Sequence, residues 1–365
     1  MPGKRVVLTG VGTVGAPLAR FVAGMPEVGA LAIIDHDLYT ESNWAGAAQE
    51  ISRADIGKPK AQVVAARVRK IRRDLKVDAL VSRVEHVPSG RLAADVHICC
   101  GDNRPVRAAC SEAAFRRGTP VLIDAGVRRE HLMARATIYF PATPGAACHL
   151  CGWGPADWEA YAASYTCNGA VGVPATGSPA HLSAMAASMA AELCLQYLRG
   201  DARPQAEARQ LVYSAELHRA WETTIRRNRD CRFDHGQWII SRLGVNPERY
   251  SLGEALEEFG GPLAVPGMAF AHRLRCGSCG RSREVLALAA RMPPWQRRCP
   301  ACGEEAVSGP LDLLHEIDTS TAQCIGAGTR ERSLAELGLL RGDVLRCGRG
   351  YIELGGRSIG KEVPR

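Results

Sequence analysis

Seven cysteines and one histidine in this sequence have the types and spacing of metal ligands. Two residues separate Cys276 from Cys279, two separate Cys299 from Cys302, and nineteen residues lie between the pairs. This is the spacing of a four-cysteine zinc ribbon. Gly277 and Gly280 in one pair, and Pro300 and Gly303 in the other, set each on a tight turn, so that two thiolates can converge on one ion. The alternative is a redox or disulfide pair of pairs. Cys148-x2-Cys151 needs two further ligands, and Cys231-x3-His235 offers them just after the basic stretch Arg226–Arg229. Zinc accepts thiolate and imidazole alike, so a Cys3His set is chemically ordinary. The plain alternative is a His235 that only faces solvent.

A second group has the pattern of a phosphate site. Gly10-Val11-Gly12-Thr13-Val14-Gly15 opens onto Ala16–Val22, whose apolar residues recur at helical spacing. Glycines there let backbone N–H groups and the positive helix end approach a phosphate with no side chain in the way. Asp35 closes the apolar run Ala30–Ile34 twenty residues after Gly15, the spacing of a carboxylate that holds ribose hydroxyls. To this point the pattern suits a nicotinamide or flavin dinucleotide as well as ATP, and an NAD-linked oxidoreductase stays open.

Holding these residues requires strands that end where the chemistry begins. Residues 5–8, 30–34, 79–84, 95–100 and 120–125 read as strands, and 16–22, 61–76 and 105–117 as helices between them. This alternation predicts an α/β fold, Rossmann-like, with a mostly parallel sheet covered by helices on both faces. Residues 141–179 show no periodicity, a loop of about forty residues of the kind that is usually functional or disordered. A helix follows over 180–198. Past His235 the composition changes, predicting a domain of residues 1–235 and an accessory domain of 236–365 with its ribbon at about 272–306 and a β-rich tail. The chain has 365 residues, 46% hydrophobic and 23% charged, with a net charge of +8 from 40 arginines and six lysines against 38 acids. The basic excess is too diffuse to predict nucleic-acid binding. Neither a signal sequence nor an apolar run of membrane length is visible, so a cytoplasmic protein without membrane attachment is expected.

The residues that follow the glycine loop narrow the choice. Asp35-His36-Asp37, Glu41-Ser42-Asn43, Ile56-Gly57-Lys58-Pro59-Lys60-Ala61 and Cys100-Gly101-Asp102-Asn103, with Arg107 a helical turn later, occur in this order. Over about residues 4–235 the sequence resembles the ubiquitin-activating-enzyme-like adenylyltransferases, the superfamily of ThiF and MoeB. The resemblance implies that Gly10, Gly12 and Gly15 cradle ATP phosphates and that Asp35 holds the ribose, with Asp37 beside it. It also implies that Asn43 and Lys60 face the phosphates, and that Asp102 holds Mg2+ with Asn103 beside it. Read on their own, Lys60 could be a solvated lysine at a helix start, and Asp102 and Asn103 could cap the next helix. The family usually carries an arginine where Gly46 stands; Arg53 is the nearest basic candidate. Its members also pair a Cys-x2-Cys after the sheet with a second ligand pair, and this chain departs from that pattern in using His235.

Of the seven remaining cysteines, Cys99, Cys100, Cys110 and Cys194 fall on expected strands and helices and read as buried small residues. Cys167 precedes Asn168-Gly169-Ala170-Val171-Gly172-Val173-Pro174, similar to a family segment whose cysteine captures the activated carrier in some members. Residues 332–338, 343–346 and 351–356 look like the last third of a ubiquitin-like fold, although an ordinary β-rich accessory domain explains them as well. The resemblance implies a homodimeric adenylyltransferase that uses ATP, Mg2+ and two Zn2+ ions. Its substrate would be the C-terminal carboxylate of a small ubiquitin-like or sulfur-carrier protein or peptide, with Cys167 a candidate thioester acceptor. A zinc-bearing binding scaffold with a decayed nucleotide site is the non-catalytic alternative.

Overall fold

The computed structural model describes residues 3–45, 51–166, 169–170, 178–326 and 328–355, with only the backbone described at 165, 166, 169 and 170. The chain divides into two units. One holds the residues up to Val87 together with Leu92–Gln237; the other holds Pro88–Arg91 and the residues from Trp238 onward.

In chain order the first unit contains β1 (Lys4–Thr9), α1 (Gly15–Ala23), β2 (Val28–Ile34), α2 (Glu41–Ala45), α3 (Lys60–Ile71), β3 (Lys76–Leu80), β4 (Val96–Cys99) and α4 (Arg104–Arg116). It continues with β5 (Val121–Arg128), β6 (Met133–Tyr139), α5 (Pro155–Ala163), the short pair β7 (Tyr165–Thr166) and β8 (Gly169–Ala170), α6 (Ala180–Arg199), β9 (Ala208–Ser214) and β10 (Arg219–Ile225). Eight strands form one sheet in the order β10-β9-β6-β5-β4-β1-β2-β3. From β3 to β5 neighbours run parallel. From β5 to β10 they run antiparallel. Connection length explains part of the change: only four residues join β5 to β6 and β9 to β10, enough for a hairpin but not for a crossover helix.

Both faces of the sheet are covered, as the sequence predicts. Val6 and Leu8 of β1 point to one side, where Leu18 of α1, Val64 and Val68 of α3, and Leu182 and Leu193 of α6 meet them. Val7 points to the other, toward Ala114 and Phe115 of α4. The period of two along the strand and the helical spacing on each covering helix place these residues, and full burial of each large one contributes about 1.5–3 kcal/mol. Cys99, Cys110 and Cys194 are buried among them and Cys100 is half-buried.

Some expected boundaries shift. The helix read as 61–76 stops at Ile71, because Arg72 turns extended and its guanidinium donates to the Met25 carbonyl at 2.7 Å. The strand read as 79–84 is Lys76–Leu80, with Val77 and Ala79 turned inward. The loop read as 141–179 contains α5, whose large apolar residues are only Trp158 and Tyr161. The hairpin β9–β10 has no counterpart among the expected elements.

The second unit contains β11 (Ile240–Leu243), α7 (Leu252–Phe259), β12 (Phe270–Cys276), β13 (Ser282–Leu288), α8 (Pro294–Arg297), β14 (Ala306–Val307), β15 (Leu313–Leu314), α9 (Thr319–Ile325), β16 (Val344–Cys347) and β17 (Gly350–Leu354). β12 pairs with β13, β14 and β15, and β11-β17-β16 form a separate sheet. α7 begins in a capping box: Glu254 N–H donates to Ser251 Oγ at 3.2 Å, and Ser251 N–H to the Glu254 carboxylate at 2.7 Å. Asp343 is buried against Arg291, which donates both guanidinium nitrogens at 2.5 and 2.8 Å. The tail expected to look ubiquitin-like is the antiparallel pair β16–β17 with β11 parallel to β17; Gly356 lies outside the described residues.

Candidate nucleotide site and metal clusters

β1 and β4 are neighbours, yet the chain leaves them toward opposite faces, α1 covering one and α4 the other. In an open parallel sheet this is the switch point, where a crevice forms beyond the carboxyl ends of the strands. Gly10 follows β1, Asp35 follows β2, and Cys100-Gly101-Asp102 follows β4, so three of the motifs meet at this edge.

The three glycines have distinct tasks. Gly10 lies at φ +83°, and a Cβ on it would sit 2.9 Å from the Cys100 carbonyl carbon. A Cβ on Gly15 would lie 1.9 Å from the Gly10 oxygen. Around Gly12 nothing lies within 4 Å, which leaves its backbone open to a ligand. Asp35 accepts from Val11 N–H at 2.8 Å and from Asp37 N–H at 2.9 Å, tying the glycine loop to the end of β2. Burial raises its pKa above the usual carboxylate value, in part against these two bonds.

Lys60 is not a solvated lysine. Its backbone N–H donates to the Asp37 carbonyl at 2.9 Å, and its buried Nζ donates to Asp37 Oδ2 at 2.8 Å. Burial pushes the Asp37 carboxyl up, but the Lys60 hydrogen bond and charge outweigh it and hold it below the ordinary value. Asn43 accepts from Thr40 N–H at 3.0 Å and from Thr40 Oγ1 at 3.1 Å, so its carbonyl serves the start of α2. Arg53 lies with its guanidinium 4.9 Å from the centre of the Trp44 ring and 3.5 Å from Glu41, both on α2. Asn103 caps α4, accepting from Val106 N–H at 3.0 Å, and donates to Asp102 at 3.1 Å; Asp102 itself is exposed. The helix-cap alternative therefore holds for Asn103, while Asp102 faces solvent beside it. Cys167 and Gly46 lie outside the described residues.

Both sets of metal ligands converge. The ligand atoms of Cys148, Cys151, Cys231 and His235 lie within 4.8 Å of one another, as do those of Cys276, Cys279, Cys299 and Cys302. Two sulfurs at about 2.3 Å from a tetrahedral centre are about 3.8 Å apart. The Cys148–Cys151 and Cys148–Cys231 separations are both 3.7 Å, and Cys276–Cys302 and Cys279–Cys299 are 3.5 and 3.6 Å, so both sets fit a zinc ion. His235 Nε2 is 3.1 Å from Cys151 Sγ, which overturns the picture of a histidine that only faces solvent. His235 adopts φ 59°, and its ring packs edge-on against Phe115 of α4. In the second set, the N–H groups of Ala301 and Cys302 point at Cys299 and draw its thiol down to about 6.

One buried cluster has no place among the expected site residues. Asp124 of β5 is ion-paired with Arg107 of α4 and lies 3.4 Å from Arg135 of β6 and 3.8 Å from His149. Burial pushes Asp124 up, and the charges of Arg107, His149 and Arg135, together with the Arg107 hydrogen bond, more than reverse this. A lone acid inside the apolar run Val121–Val127 is the sequence signal that could have found it.

A family model described as ThiF family matches residues 3–233. Over 150 residues the chain is 31% identical to the SAMP-activating enzyme E1 of Haloferax volcanii, covering 40% of this chain and 53% of that protein. Over 128 residues it is 30% identical to the sulfur carrier protein ThiS adenylyltransferase of Escherichia coli, covering 34% and 49%. The chain thus spans about half the length of these curated relatives. Among solved structures, E. coli MccB with ATP is similar at 18% identity and a TM-score of 0.49, covering 63% of this chain and 66% of that one. Among the described residues, no helix is long and apolar enough to cross a membrane.

Proposed function

The chain belongs to the ThiF family, and on that premise we propose that its first unit binds ATP with Mg2+ and transfers AMP to the C-terminal carboxylate of a small ubiquitin-like or sulfur-carrier protein or peptide. The observation that carries this reading is the buried Lys60 joined to Asp37 at the same sheet edge as the open Gly12 and the exposed Asp102. A dinucleotide site for hydride transfer needs neither a buried lysine nor an exposed acid at this edge.

A carboxylate oxygen of the substrate attacks the α-phosphorus of ATP, the bond to the bridging oxygen breaks, and pyrophosphate leaves with that electron pair. The product is an acyl-adenylate. Negative charge accumulates during attack, and an ammonium held in place on a largely buried side chain, as in Lys60, stabilises it without having to reorganise. Asp102 would hold Mg2+, which when bound offsets phosphate charge. The N–H groups of the loop around Gly12 hold the phosphates, and Asp35 orients that loop through Val11. In this reading both cysteine clusters hold structural zinc, and Cys167 or an external nucleophile takes the acyl group.

Calorimetry with ATP·Mg2+ and with NAD+ tests the nucleotide directly. ATP binding that is weakened in Asp102→Ala and strictly metal-dependent supports the reading; NAD+ binding without ATP binding overturns it.

A further inference from the structure

Two arginines share one carboxylate beside the nucleotide edge. Arg107 of α4 donates to Asp124, and its second nitrogen donates to the Ala125 carbonyl at 3.2 Å. Arg135 approaches Asp124 Oδ2 at 3.4 Å, and among the described residues this is its only hydrogen-bonding or ionic partner. A guanidinium carries five N–H donors in a rigid fork. Arg107 therefore uses its fork on protein, while that of Arg135 is nearly idle although only 26% of its side chain is exposed. Asp124 Oδ2 is itself fully buried without a hydrogen bond. One carboxylate charge faces two guanidinium charges that never titrate in a protein, so the cluster keeps an excess positive charge.

The position of this excess is informative. β5 runs parallel to β4, with Cys99 opposite Asp124, and continues past the end of β4 to Arg128. Arg135 pairs with Gly126, two residues beyond that level, and a Cβ on Gly126 would lie 2.4 Å from Arg107 Nη2. Glycine thus lets Arg107 cross the strand just where Arg135 stands. From Cys99, which the Cys100-Gly101-Asp102 turn follows, to Gly126 is about 8 Å at ordinary strand spacings. The excess charge lies on the same carboxyl edge as the glycine loop, displaced toward the antiparallel strands.

We propose that Arg135, with Arg107 across Gly126, recruits the acyl substrate by its terminal carboxylate before that group reaches the α-phosphate. The inference rests on the adenylation reading. A carboxylate approaching bound ATP meets a large negative charge, and an under-used guanidinium at the entrance offsets that repulsion with a bidentate geometry that matches the incoming group. Asp124 keeps Arg107 in place and leaves the fork of Arg135 open.

The test uses the full-length, zinc-loaded protein, with triglycine and triglycine amide as probes and phenylglyoxal as the arginine reagent, read by peptide mass spectrometry. Arg135 is expected to be modified in the free protein and protected at least fivefold by triglycine, but not by the amide and not by a non-hydrolysable ATP analogue with Mg2+. Calorimetry of Arg135→Gln is expected to show triglycine affinity about tenfold weaker and ATP affinity changed less than twofold, with Arg135→Lys intermediate. Equal protection by acid and amide, protection by nucleotide alone, or an Arg135 that never reacts overturns the proposal. Because triglycine protection needs no ATP, such a failure is distinguishable from a failure of adenylation itself.

Discussion

Lys60 Nζ donates to Asp37 Oδ2 at 2.8 Å from a side chain that is almost wholly buried, while the carboxylate it meets is half exposed. The lysine is thus held at the edge of the crevice by an acid that a phosphate could replace as its partner. Lys60→Ala is expected to cut adenylation by roughly a hundredfold or more, the scale on which removal of one pre-positioned donor acts. Because Asp37 regains water, urea unfolding should register a loss of about 1 kcal/mol or less. A rate loss accompanied by a collapse of stability would make Lys60 a structural residue.

Gly12 and Gly15 should separate binding from folding. Gly15→Ala forces a Cβ onto the Gly10 oxygen, and overpacking of this kind costs about 1–3 kcal/mol. Gly12→Ala meets nothing within 4 Å, so its urea midpoint should stay close to that of the wild type while its ATP affinity falls severalfold. Equal effects of the two substitutions on stability would contradict the division of tasks.

Metal analysis of the purified chain is expected to give two zinc ions, and Cys148→Ser to leave one. Cys276→Ser should remove the other. Structural zinc contributes folding free energy outright, so each variant should also melt earlier. Retention of two ions in Cys148→Ser would remove the Cys148, Cys151, Cys231 and His235 site from the account.

Asp124→Asn leaves Arg107 buried opposite a neutral amide, and breaking a buried pair costs about 3–5 kcal/mol. The folded pKa of Asp124 is depressed, so its contribution is fully present above the unfolded value of about 3.9 and is lost as pH falls through the lower folded value. Urea titrations of wild type and variant should therefore differ at pH 7, begin to approach each other below about pH 4 and converge only below the lower folded value. A gap that persists unchanged in acid would show that the amide damages packing rather than charge.

The sheet and both candidate ligand clusters were legible because their signals are local: β-branched runs, a glycine loop, and cysteine pairs separated by two residues. Pairing Cys148 and Cys151 with ligands eighty residues away rested on the Cys231-x3-His235 spacing and on the second ligand pair that the family resemblance implies. Elements such as α5 and the β9–β10 hairpin escaped because large apolar residues are few in α5 and β10 and are consecutive, not alternating, in β9, so periodicity had little to register. The Arg107–Asp124–Arg135 cluster escaped for a different reason. Its members come from α4, β5 and β6, and only the sheet register that sets Arg135 opposite Gly126 brings them together. Lys60 was visible as a motif residue, but its burial against Asp37 arises from the short pairing of Leu38 with Pro59, which no spacing reveals.

Transfer of AMP to a carboxylate at this site is measured by ATP–pyrophosphate exchange. With a small carrier protein or peptide ending in a free glycine carboxylate, exchange of labelled pyrophosphate into ATP should appear only with carrier and Mg2+ present, and should vanish in Asp102→Ala. Exchange independent of the carrier, exchange undiminished in Asp102→Ala, or NAD+ binding in the absence of any ATP binding would contradict it.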